Sequence, residues 1–223
     1  TGIESVGDKG KVTFRVLYND DKYGLQIISD KNIELVALGT TGRDLTAWQA
    51  SRNDYNNAIT MLNEKAEYYA KSSPYALDGR CVGSVPSIGT DGKFNVKNTE
   101  NVEPVQLEFT STVEGANNMK GEDNNYEIDQ TALQEANIWT TGEEYWLASR
   151  DLILNSSYCS FNVRVVNTNG DLSYNSLSHV NSDGYMYGYD EEGGLRPCIS
   201  LKSDIKVTAG DGKSEKTAYE LGI

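Results

Sequence analysis

The run from Ser51 to Tyr69 constrains this 223-residue chain more than any other part of it. Tyr55, Ile59, Leu62, Ala66 and Tyr69 recur at steps of four, three, four and three, which puts all five on one face of a helix. Ser51 with Asp54 three residues later has the form of a capping box, so the helix is expected to begin there and to stop before Pro74. A helix with one apolar face needs a second layer to pack against.

Strands on both sides of it supply that layer. Val12, Phe14, Val16 and Tyr18 alternate with Lys11, Thr13, Arg15 and Leu17, the period of a half-buried strand. Turn residues at 19–24 lead to a return strand at 25–29, and Ile33 to Leu38 is a third short run ending at Gly39. Beyond residue 144 come two further strand patterns, with Phe161, Val163 and Val165 on one core-facing side and Trp146 also inward. Asn167-Thr168-Asn169-Gly170 marks a hairpin turn, because Asn-Gly accepts positive φ. The closing strand carries Leu195, Ile199 and Leu201. A second helix is expected at about 129–137, with Ala132, Leu133 and Ala136 inward.

Strands and helices do not alternate as in βαβ units, so the expected class is α+β: two helices on twisted antiparallel sheets, with long irregular loops. We divide the chain, read as a single domain, into N-terminal strands and helix (1–77), an irregular Gly/Asn/Ser-rich insertion (78–125, with Val105 to Phe109 strand-like) and a C-terminal sheet with loops (126–223).

Chemistry is constrained mostly by what is missing. A formal net charge of -13 repels phosphate backbones, so nucleic acid is not an expected partner. His179 is the only histidine, sits among polar loop residues and carries no flanking catalytic signature. With 33 acids, no spacing singles out an acid–base couple, so the chain is read as non-enzymatic, with an acidic-cleft hydrolase as the remote alternative. Cys81, Cys159 and Cys198 lack CxxC spacing, and either one disulfide with one free thiol or three buried thiols would fit. No cofactor or metal ligand is assigned. Asp190-Glu191-Glu192 with Asp183 reads as a solvated acidic turn, calcium being the other use of such a group. Arg150 and Arg196, each beside an apolar run, are expected to snorkel or to pair with carboxylates.

The stretch from Ser182 to Pro197 holds three alternating tyrosines, followed by the three acids Asp190, Glu191 and Glu192 and a glycine pair. Tyrosine offers a large contact area with few rotors to freeze, and Ser, Asn and Gly add adaptable polar contacts. On that composition the candidate ligand-binding residues are Asn155, Ser157, Tyr158, Asn175, His179, Asn181, Asp183, Tyr185, Tyr187 and Tyr189. Two readings of the tyrosines compete: one face of a packed strand, or a display loop. Gly184 and Gly188 weaken a strand, so Ser182 to Asp190 is expected to be a loop, with Tyr187 partly buried, leading into a strand from Gly194.

The motifs EYWLASR, FNVRVVN and GGLRPCISLK, in that order, resemble the C-terminal half of C-type-lectin-like domains. They are similar to bacterial surface proteins such as the Fibrobacter-type paralogous domain and, more distantly, to the formylglycine-generating-enzyme fold and the variable proteins of diversity-generating retroelements. Phe14 to Asp20, Leu25 to Ser29 and Ser51 to Ala58 resemble the front of a group of gut-bacterial proteins, so the likeness spans most of the chain and is thinnest from Ser84 to Asn125. It implies a C-type-lectin-like fold, an extracellular or cell-envelope location, and a protein or glycan ligand at the cell surface. A start at Thr1 then implies an upstream membrane or pilin-like anchor, and a pilin-like or filament-tip subunit is the second functional reading. Glu103-Pro104-Val105, with no Trp-Asn-Asp triplet, departs from calcium-dependent sugar binding, and the three cysteines do not match the formylglycine enzymes.

Overall fold

The computed structural model describes residues 3–4, 11–20, 24–83, 86–88, 94–96, 139–154, 158–181 and 183–222. In chain order the strands are β1 (Ile3–Glu4), β2 (Lys11–Val12), β3 (Phe14–Asp20), β4 (Gly24–Ser29) and β5 (Glu34–Gly42). Helix α1 (Leu45–Lys71) follows, then β6 (Ala76–Cys81), β7 (Pro86–Ile88) and β8 (Phe94–Val96). The remainder is β9 (Tyr145–Leu154), β10 (Tyr158–Val166), β11 (Leu172–Asn181), β12 (Met186–Leu195), β13 (Pro197–Leu201), β14 (Lys206–Ala209) and β15 (Glu220–Gly222).

The class is α+β, with one α-helix among the described residues. A five-stranded sheet runs β11-β10-β9-β12-β5, with β11 also pairing directly with β12, and a four-stranded sheet runs β3-β4-β13-β6. Pairing is antiparallel except where Gly194 of β12 meets Tyr145 of β9 in parallel. Helix α1 lies against both sheets, touching β6 and β13 of one and β5, β12, β9, β11 and β10 of the other. Three two-stranded pairs, β1 with β2, β7 with β8 and β14 with β15, complete the described sheets.

The five spaced residues of α1 are all buried, as the spacing requires. The helix starts earlier than the capping-box pattern indicated. Asp44 is the true N-cap, accepting the Ala47 amide at 2.9 Å, and Ala47 and Trp48 extend the buried face. Ser51 and Asp54 keep their role as acceptors but serve a different partner. Ser51 Oγ accepts the Thr40 amide at 2.8 Å, and Asp54 Oδ2 accepts the Gly39 amide at 2.9 Å. The two side chains therefore seal backbone donors of β5, an end strand of its sheet, where open amides would invite pairing with another chain.

The core joins the helix to the second half of the chain. Phe161 meets Trp48 edge-on at 5.7 Å and Tyr55 at 5.2 Å between ring centroids. Such pairs add roughly 0.5–1.5 kcal/mol each beyond burial. Val163, Val165, Trp146 and Leu195 are buried with them, and Trp146 Nε1 donates to the Val36 carbonyl at 2.8 Å. The turn after β10 forms as expected, with Asn167 Oδ1 accepting from the Asn169 and Asp171 amides and Gly170 at φ 85°.

Several expectations are corrected. In β3 a bulge between Val16 and Tyr18 breaks the alternation, leaving Val16 43% exposed and Leu17 packed on the core. Residues 78–81 belong to strand β6, paired with β13, and not to an irregular insertion. A Cβ on Gly79 would lie 2.4 Å from that of Ala70, so the glycine lets the helix pack down on the strand. Arg150 and Arg196 do not snorkel. Arg150 is buried, donating to the Asn56 carbonyl at 3.1 Å and lying over the Tyr55 ring. Arg196 is 0% exposed, donates from Nη2 to the Ser29 carbonyl at 2.9 Å and stacks over Tyr145. Cys81, Cys159 and Cys198 are three free, buried thiols. The helix expected at 129–137 and the strand-like Val105 to Phe109 lie outside the described residues.

Candidate functional site

The tyrosine stretch is a strand. A tight turn joins β11 to β12: Gly184, at φ 84°, donates its amide to the Asn181 carbonyl, and Asp183 Oδ1 accepts from the Tyr185 amide at 3.2 Å. The expected display loop is thus confined to this turn, and Tyr187 to Asp190 lie within β12. Gly188 does not break the strand, because it marks a close approach. A Cβ on it would fall 2.3 Å from the Thr40 carbonyl oxygen and 2.7 Å from that of Ala47. Gly193 and Gly194 are similar, lying against Trp146 and Asn32.

Register assigns the two faces. Ser178 pairs with Gly188, His179 with Tyr187, and Val180 with Met186. Val180 is buried and Met186 packs on the core, so this set faces inward. Directly opposed residues share a face and neighbours alternate, so His179 and Tyr187 face away from the helix.

On that outer face the aromatic rings form a row. Tyr185 and Tyr187 have ring centroids 6.5 Å apart at 29°, and Tyr187 and Tyr189 are 6.3 Å apart at 12°. The His179 ring lies 4.5 Å from Tyr187 and 5.5 Å from Tyr189. Tyr189 Oη and His179 Nδ1 share a hydrogen bond of 3.0 Å. Tyr185 is 61% exposed, whereas Tyr187 and Tyr189 are half-buried. Partial burial pulls His179 below its ordinary value. It raises the Tyr189 hydroxyl, with Tyr187 and Glu191 pushing the same way and Arg43 opposing.

The face continues onto β10, where Ser160 pairs with His179 and Tyr158 with Asn181. Ser160 Oγ bonds to Asn162 Oδ1 at 2.6 Å and to Ser176 Oγ at 2.9 Å. Asn162 Nδ2 donates to Asp151 Oδ2 at 3.1 Å, and Arg164 pairs with Asp151 at 2.9 Å. A polar ladder therefore runs beside the aromatic row.

Of the residues chosen from sequence, the structure brings together Tyr158, His179, Asn181, Tyr185, Tyr187 and Tyr189, with Asp183 in the adjoining turn. Asn175 is not among them. It pairs with core-facing Val163 and donates to Glu144 Oε1 at 2.8 Å, so it sits on the opposite face. Asn155 and Ser157 lie outside the described residues. Arg43, whose guanidinium carbon is 5.7 Å from the Tyr187 centroid, escaped the sequence reading. So did Thr41, whose hydroxyl accepts the Asp190 amide at 3.2 Å. Both lie between β5 and α1 or at the strand's end, and no local motif links them to residue 187.

Asp190, Glu191 and Glu192 are successive residues of one strand, so neighbouring side chains leave opposite faces. Among the described residues no three His, Cys, Asp or Glu side chains gather as a metal site. No described helix is long and apolar enough to cross a membrane. No family model matches the chain, and comparison with curated proteins and with solved structures gives no match.

Proposed function

We propose that the chain is a non-enzymatic, adhesin-like ligand-binding domain of C-type-lectin-like fold, acting at the cell envelope or outside the cell. It takes a protein or glycan ligand on the outer face of β10, β11 and β12. The observation that carries this reading is the aromatic row of Tyr185, Tyr187, Tyr189 and His179, displayed away from the helix on a strand whose other face is core. Aromatic rings beside polar side chains offer contact area at little cost in conformational entropy.

Glycan and protein arrays probed with the wild type and with a Tyr185→Ala/Tyr187→Ala variant test this. We expect hits that the double variant loses and that chelation of calcium leaves intact. Hits of equal strength with both proteins would remove this face from the function.

A further inference from the structure

We propose that the tyrosine row recognises arginine side chains on a basic segment of a partner protein, with Arg43 as a built-in occupant of the same surface. This rests on the recognition role given above to the outer face and names the ligand chemistry.

Three observations converge. First, the row already holds a guanidinium: Arg43 lies over the Tyr187 ring at 5.7 Å, within the range of a cation–π contact. Arg43 immediately precedes Asp44, the N-cap of α1. A cation beside a helix N-terminus faces the positive end of the macrodipole, so the ring, not the helix, accounts for its position. Second, the row is flanked by exposed acids, Asp183 in the turn and Asp190 and Glu192 along β12. Asp190 and Glu192 pair with Gly39 and Ala37 of β5, on the face opposite that of core-facing Leu38. Third, the chain as a whole carries a net charge of -13, which draws basic partners and repels anionic ones.

Arginine fits better than lysine because the rings present parallel planes, 12° apart for Tyr187 and Tyr189. A planar guanidinium stacks on such faces, whereas an ammonium is a compact, strongly hydrated point charge. Tyr185, at the exposed end of the row, offers a further ring to an incoming side chain.

The test uses fluorescein-labelled nona-arginine and nona-lysine peptides, titrated against the whole chain by anisotropy at physiological salt. Both peptides feel the same long-range attraction, so their difference reads stacking. We expect nona-arginine to bind roughly three- to five-fold tighter than nona-lysine. Tyr187→Leu, which leaves net charge unchanged, should erase that preference without altering the lysine peptide. Arg43→Gln should strengthen arginine-peptide binding by vacating the ring. Tyr185→Leu, at an exposed position, should reduce the preference even where Tyr187→Leu fails to fold. Equal affinities for the two peptides, or a preference untouched by both tyrosine variants, overturns the proposal. Glycan-array hits that require both Arg43 and Tyr187 would overturn it in favour of an anionic glycan and leave the recognition role standing. Loss of every tyrosine-dependent hit would end both.

Discussion

His179 and Tyr187 stand directly opposite each other on β11 and β12, with ring centroids 4.5 Å apart, on the side of the sheet turned away from helix α1. Their immediate neighbours on the same strands, Val180 and Met186, face the core. Display and packing are thus divided between alternate residues of a single hairpin, and that division has measurable consequences.

Removing a displayed ring should cost little stability. Tyr185→Ala is expected to change the unfolding free energy by no more than about 0.5 kcal/mol, because the side chain is largely exposed. Phe161→Ala, which empties the space between Trp48 and Tyr55, should cost about 3–5 kcal/mol. Urea unfolding of the two variants checks both values, and a large loss in Tyr185→Ala would contradict the assignment of faces.

Gly188→Ala should be harmful despite its small size. The new methyl would meet the Thr40 and Ala47 carbonyl oxygens and Ser51 Oγ inside 3 Å, and two of those are backbone atoms that cannot swing aside. We expect a loss of about 1–3 kcal/mol, read from thermal melts. An unchanged melting temperature would mean that β12 does not sit this close to the helix.

The acceptors on α1 make separate predictions. Asp44→Ala, removing the N-cap, should cost about 1 kcal/mol. Asp54→Ala and Ser51→Ala should each weaken the sealing of β5, by about 1 kcal/mol per hydrogen bond, and speed hydrogen exchange at the Gly39 and Thr40 amides. If Ser51 capped the helix instead, the faster exchange would appear in the turn of α1 that follows it.

The pH dependence follows from burial of His179, which holds its folded value below 6.5. The unfolded chain then binds the proton more readily. Stability from this group is complete above about 6.5 and declines as pH falls from there toward the folded value. Melting temperatures measured across this window should drop more for the wild type than for His179→Gln. Identical slopes would show that the ring is as well solvated in the folded chain as in the unfolded one.

Much of the architecture was legible in the residues. The face of α1, the β3–β4 hairpin, the Asn167–Gly170 turn and the inward side of β10 each follow from local periodicity or from turn chemistry that depends only on neighbours. The misses share a cause. Ser51 and Asp54 were recognised as acceptors, but which amides they accept depends on β5 arriving beside the helix. Gly188 suggested a loop, yet it is a strand position where the helix comes within touching distance. Asn175 had a suitable composition around it, but β-strand parity turns it to the wrong side. Arg43 reaches the site because Gly42, just before it, is paired with Gly188 of β12. Propensity reports what a residue does with its neighbours in sequence, and these are partners brought by topology.

The contact of Gly188 with the helix gives the hairpin a simple grammar. Even-numbered positions 178, 180, 186 and 188 are bound to the interior, while odd-numbered positions 179, 185, 187 and 189 look outward. Substitution at the odd positions therefore alters the outward surface while sparing the inward contacts of Val180, Met186 and Gly188 that seat the hairpin on the core and the helix.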